Sequence, residues 1–112
     1  MTAQKRHHIV ILRKAASDIE KQAVFYKEAQ GSELALRWQR AVYAEINTLE
    51  VMPERGSPSS FPDSRARNIR HIRVSGFPKH LIFYQFLPLL GLVRVRRISH
   101  GARDLEPLIS AH

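Results

Sequence analysis

Apolar residues first cluster in "HHIVIL", where the β-branched run from His8 to Leu12 predicts a strand. The spacing then changes to three and four. Ala16, Ile19, Ala23 and Tyr26 form one stripe of a helix, with Ser17 and Glu20 spaced as a capping box unless the helix begins a turn earlier, and with Gly31 as a stop. A second stripe follows through Leu34, Trp38, Ala41 or Val42, Ile46 and Leu49, with Ser32 as its expected cap and Pro53 marking its end. So short a link, built on Gly31, folds the two helices back on each other as an antiparallel hairpin.

The segment "PERGSPSSFPDSRA" holds three prolines, a glycine and four serines, and reads as a loop. Beyond it the period shortens. "NIRHIRV", "HLIFYQF" and "LVRVRRI" each have strand length, and "LPLLG" is a hairpin connection between the last two. "HLIFYQF" is apolar on both faces and is therefore expected at the centre of a sheet, with helices over at least one side. In the last strand, alternation puts Val93, Val95 and Arg97 on one face and Arg94 and Arg96 on the other. The predicted architecture is α+β: an N-terminal strand, then an antiparallel helical hairpin packed on a small, mostly antiparallel sheet, in the order β-α-α-β-β-β. One domain spans residues 1–112.

Composition narrows the setting. A chain of 112 residues with 44% apolar residues supports one core. Without cysteine, disulfides and thiolate zinc sites are excluded, and the reducing cytoplasm is the expected compartment. "IVIL" is too short for a secretory or membrane-spanning segment, so a soluble, untargeted protein is expected.

The net charge of +8 is unevenly distributed. Met1 to Asp63 carries nine Lys/Arg and eight Asp/Glu, whereas Ser64 to Arg103 carries nine Lys/Arg and no carboxylate. Eight of those nine are arginines, at 65, 67, 70, 73, 94, 96, 97 and 103, the residue suited to bidentate contact with phosphate or carboxylate. A nucleic acid or an acidic protein fits such a surface, and a solvated basic face is the plain alternative. The basic density lies in strands and loops, so no recognition helix for the major groove is evident; direct nucleic-acid binding is expected to be non-specific and salt-dependent. His7 and His8 point to opposite sides of a strand, and no cluster of histidines and carboxylates has metal-ligand spacing, so no metal and no cofactor is expected.

The last strand runs into "RISHGARDL", and the second helix closes with Leu-x-x-x-Pro-x-x-Gly at Leu49, Pro53 and Gly56. Together with "AASDIEKQAVFY", "NIRHIRVSGF" and "HLIFYQF", this combination resembles the ParE/RelE superfamily of toxins from type II toxin–antitoxin pairs over nearly the whole chain. Within it the resemblance is to the ParE branch, also called plasmid-stabilisation proteins. It implies a toxin neutralised by a cognate acidic, ParD-like antitoxin. ParE-type members poison DNA gyrase and are not enzymes, whereas RelE-type members are ribosome-dependent mRNA interferases on the same fold.

RNA cleavage needs a base, cationic donors to phosphate, and an acid at the leaving oxygen. His100 or His80 could move protons, and Arg73, Arg97 or Arg103 could hold phosphate. RelE-type toxins place an arginine inside the third strand and a tyrosine or histidine near the C-terminus; here Leu81 and about Ile109 stand at those positions, both apolar. Of the RelE-type positions, Arg103 is kept. The resemblance thus implies a gyrase-directed, protein-binding toxin, with His100 and Arg103 as the residues to test should it prove a nuclease. The surface expected to bind antitoxin or target comprises Arg70, Arg73, Arg94, Arg96, Arg97, His100 and Arg103. In the final turn, Gly101 permits a sharp reversal that His100 and Asp104 can tie with side-chain hydrogen bonds.

Overall fold

A computed structural model describes residues 5–59 and 68–100. Strand β1 (His8–Ile11) leads into helices α1 (Arg13–Gln30) and α2 (Ser32–Thr48). The chain then forms β2 (Ser57–Pro58), β3 (Ile69–Val74), β4 (Phe77–Leu87) and β5 (Leu92–His100). The sheet order is β1-β5-β4-β3-β2. β1 lies parallel to β5, and the other three pairings are antiparallel. The apolar strand β4 is central, as its two-faced pattern requires, and Leu81, Ile82, Phe83 and Tyr84 are all buried. No described helix is long and apolar enough to cross a membrane.

Local details differ from the expected ones. α1 begins at Arg13 after Leu12, with no side-chain cap, so Ser17 lies inside the helix and Ser17/Glu20 is not a capping box. Starting a turn earlier, the helix buries Ala15 with Ile19 and Ala23, and Ala16 faces solvent. Ser32 is the first residue of α2 and Gly31 its N-cap; Gly31, at φ 101°, both ends α1 and starts α2. The loop after α2 also contributes a strand, since Ser57 and Pro58 pair with His71 and Arg70.

The most consequential difference lies in β5. Register slips between Phe83 and Tyr84, which pair with Arg97 and Val95, so Arg96 is an extra residue. Beyond this bulge Ile98, not Arg97, joins Val93 and Val95 in the core beneath the helices. Plain alternation could not foresee that, because one inserted residue inverts every later side chain.

The core forms where Trp38, Val42, Ile46 and Leu49 of α2 and the α1 stripe meet β3, β4 and β5. Trp38, Val42 and Leu49 are fully enclosed. Burying each such side chain contributes about 1.5–3 kcal/mol, which is why the hairpin stays on the sheet. Two polar ties fix the connections. Glu45 of α2 pairs with Arg55 and takes the Ser75 N–H at 2.9 Å through its other oxygen, holding the post-helix loop and the β3–β4 turn together. Tyr84 sends its hydroxyl to the other side of that loop, where it accepts the Gly56 N–H at 2.9 Å.

This contact explains the Leu-x-x-x-Pro-x-x-Gly signature. Leu49 and Pro53 are buried, and a Cβ at Gly56 would sit 2.5 Å from the Tyr84 hydroxyl and 2.9 Å from the His71 carbonyl oxygen. Gly56→Ala is therefore expected to destabilise the fold by about 1–3 kcal/mol. Urea unfolding at neutral pH checks this, and an unchanged midpoint would mean that the loop does not press on Tyr84.

Candidate partner-binding surface and its buried histidine

The cationic half of the sequence is dispersed by folding. Arg70 stands opposite Tyr84, and its guanidinium donates to the Gly56 carbonyl at 2.8 Å and the Glu54 carbonyl at 3.2 Å. It serves the loop. Arg97 donates through Nε and Nη2 to Asp18 of α1 at 2.8 and 2.9 Å, and the same carboxylate accepts the Ile98 backbone N–H at 3.0 Å. Sequence offered no carboxylate for this strand, because Asp18 lies 79 residues away. The pairing follows from topology. β1 ends opposite Val95, so among the described residues no strand flanks the distal outer edge of β5, and α1 supplies an acceptor there instead.

Arg73 is exposed, shares a cross-strand row with Leu81 and Ser99, and donates to the Pro78 carbonyl at 2.7 Å. Arg94 pairs with Gln85 and with Val10. Burial, with the charge of Arg94 nearby, pushes the Arg96 guanidinium below its ordinary pKa. His100 is exposed at the end of β5. Arg103, Gly101 and Asp104, like Arg65 and Arg67, lie outside the described residues.

The two nuclease candidates His80 and His100 are brought together, with ring centroids 4.7 Å apart, but in unlike surroundings. His80 is 2% exposed and packs its ring 5.1 Å from that of Trp38. Its Nε2 lies 2.7 Å from the Tyr26 hydroxyl. Burial, and secondarily the neighbouring His100, lower its pKa to about 4. The neutral ring therefore accepts from the Tyr26 O–H or donates to its oxygen, according to tautomer. A histidine so depressed is a weak base near neutral pH and supplies no proton there. His71 is lowered too, by burial and by Arg73, and its Nδ1 lies 2.7 Å from the Ser59 hydroxyl. Among the described residues no three His, Asp or Glu side chains converge on a metal-sized site.

Sequence reasoning also missed an apolar surface. Val24 and Phe25 of α1 and Leu36 and Tyr43 of α2 are exposed, Phe25 by 60%, on helices that also expose Lys21, Arg37 and Arg40. The signal was present as a second stripe, Leu36–Arg40–Tyr43, offset from the core stripe of α2.

Comparison with known proteins agrees with this architecture. The model of the ParE toxin of type II toxin–antitoxin systems, parDE, matches residues 9–105. Among solved structures, the chain is similar to the chromosomal ParDE toxin–antitoxin system from P. aeruginosa, with a TM-score of 0.72 and 17% identity, covering 88% of this chain and 100% of that one. It is also similar to the toxin–antitoxin complex RelBE2 from Mycobacterium tuberculosis, with a TM-score of 0.65 and 17% identity over 91% and 99% of the two chains. At such identity the likeness is one of fold. No curated protein sequence matches the chain.

The depressed His80 pKa predicts a stability profile. The unfolded chain binds a proton at His80 below its ordinary value of 6.5, whereas the folded chain resists protonation until about 4. The contribution of the neutral ring is thus fully present above pH 6.5 and is lost as pH falls toward 4, and His71 acts in the same direction. Urea midpoints measured across this window should fall with pH in the wild type and fall less steeply in His80→Phe. Parallel profiles would show that His80 is not held neutral.

Proposed function

We propose that this chain, which belongs to the ParE toxin family of type II toxin–antitoxin systems, acts by binding DNA gyrase and is held inactive by a cognate acidic antitoxin. The reading is supported by the state of the positions that an RNA-cleaving site would use. Where the RelE resemblance implies an arginine in the third strand, Leu81 is only 7% exposed, between Arg73 and Ser99 in its cross-strand row. His80 is neutral and engaged with Tyr26. Arg97 is bound to Asp18. Two of the groups nominated for proton or phosphate chemistry are thereby mis-tuned or occupied, the position of the RelE arginine is apolar, and a catalytic site must assemble all of its groups at once.

Binding, by contrast, needs surface rather than a tuned constellation. The exposed stripes on the helical hairpin combine Phe25, Leu36 and Tyr43 with Lys21, Arg37 and Arg40, which suits an amphipathic acidic segment. Arg73, Arg94, Arg96, His100 and Arg103 are assigned to antitoxin or target contact. Arg70 and Arg97 hold the loop and the strand that present them.

The test is a supercoiling assay with purified chain, gyrase, relaxed plasmid and ATP. The expected outcome is lost supercoiling together with accumulated cleaved plasmid. Normal supercoiling at chain concentrations that arrest growth would refute gyrase as the target and turn attention to ribosome-bound mRNA, with His100 and Arg103 as the residues to substitute.

A further inference from the structure

A cleft of about 240 Å3 opens where α1 and α2 meet the end of β5, with Lys21, Phe25, Trp38, His80, Ile98 and His100 among its lining residues. It is smaller than the roughly 300–1,000 Å3 of sites for drug-sized ligands, and its scale is that of one side chain. Its polar groups are unevenly satisfied. The Asp18 carboxylate on its wall is taken up by Arg97 and the Ile98 N–H. The Nε2 of His80 is engaged with Tyr26. Trp38, fully enclosed at 0% exposure, has an indole N–H with no acceptor among the described residues. A buried donor without a partner is costly, and water does not reach this one.

The complement of the cleft follows from these facts. Phe25 and Ile98 offer apolar wall to an aliphatic stem. Lys21 makes no ion pair among the described residues and leaves the lining cationic once Asp18 is compensated by Arg97. The donor that lacks a partner asks for an acceptor, and the Asp18 carboxylate and His80 Nε2 that line the same cleft are already engaged. We propose that this cleft is an anchor pocket for a glutamate side chain carried by the antitoxin segment, whose carboxylate takes the Trp38 N–H and faces Lys21. This rests on the antitoxin-binding reading above, and binding must uncover the indole N–H, which is buried in the free chain.

Trp38 is the chain's only tryptophan, so a 15N-labelled sample has a single indole N–H resonance, and that resonance reports on the pocket. The probes are the N-acetyl, N-methylamide derivatives of glutamate, glutamine and leucine, titrated into the full chain. The glutamate probe is expected to move the indole proton downfield and to saturate in the millimolar range, on the order of what a ligand of this size attains. The glutamine probe should bind roughly fivefold more weakly, and Lys21→Glu should weaken the glutamate probe about as much while leaving the urea midpoint unchanged. The leucine probe should not shift the resonance. No saturable shift in the folded chain, or equal shifts with all three probes, would overturn the proposal. A complex with co-expressed antitoxin in which the indole resonance keeps its free-chain position would overturn the pocket while leaving antitoxin binding intact. Probe binding by a chain that captures no antitoxin would instead overturn the assigned occupant and the reading beneath it.

Discussion

One carboxylate decides how the two layers of this molecule meet. β1 reaches only as far as Val95, yet β5 continues to His100, and its outer edge would otherwise expose backbone donors. Asp18 closes that edge from the helical layer, accepting the Ile98 N–H and both arms of Arg97. The pair is mostly buried, with side-chain exposures of 16% and 17%, so it is weakly screened and gains from charge-assisted geometry more than a surface pair would. Arg97, one of the arginines named for phosphate, is thereby held against α1.

The bulge at Arg96 belongs to the same arrangement. It returns Ile98 to the core and places Arg97 where α1 can reach it. Arg73 on β3 and Arg94 and Arg96 on β5 lie in different cross-strand rows of the same sheet. On the helical side, the same packing that buries Trp38 leaves Phe25, Leu36 and Tyr43 outside. The structure thus exposes basic side chains on the sheet and an apolar stripe on the helices, and holds His80 neutral between them.

The element order and the central position of β4 were legible in the sequence because they rest on local signals: period, glycine and proline placement, and apolar runs. Gly31 ends one helix and begins the next, as its φ requires. What could not be read depends on long-range placement. The Asp18–Arg97 pair spans 79 residues, and nothing local marks Asp18 as its partner. A bulge has no signature in "LVRVRRI", and so the expected facing of Arg97 was inverted. The two-residue strand at Ser57–Pro58 is too short to be distinguished from loop. Tyr84 is buried, as a central strand implies, but its hydroxyl contact with Gly56 appears only when the loop after α2 is laid over the sheet. The His80 environment likewise arises from three elements meeting, so its depressed pKa had no trace in "PKHLIF".

On the proposed function, this toxin fold works by gripping a protein and not by cutting RNA. The most direct measurement is made in cells within minutes of inducing the chain without antitoxin, mapping gyrase-linked DNA breaks and mRNA 3′ ends in the same culture. Gyrase-linked breaks are expected to rise while the pattern of mRNA ends stays as it was. New mRNA ends in register with codons, with no rise in gyrase-linked breaks, would contradict this reading.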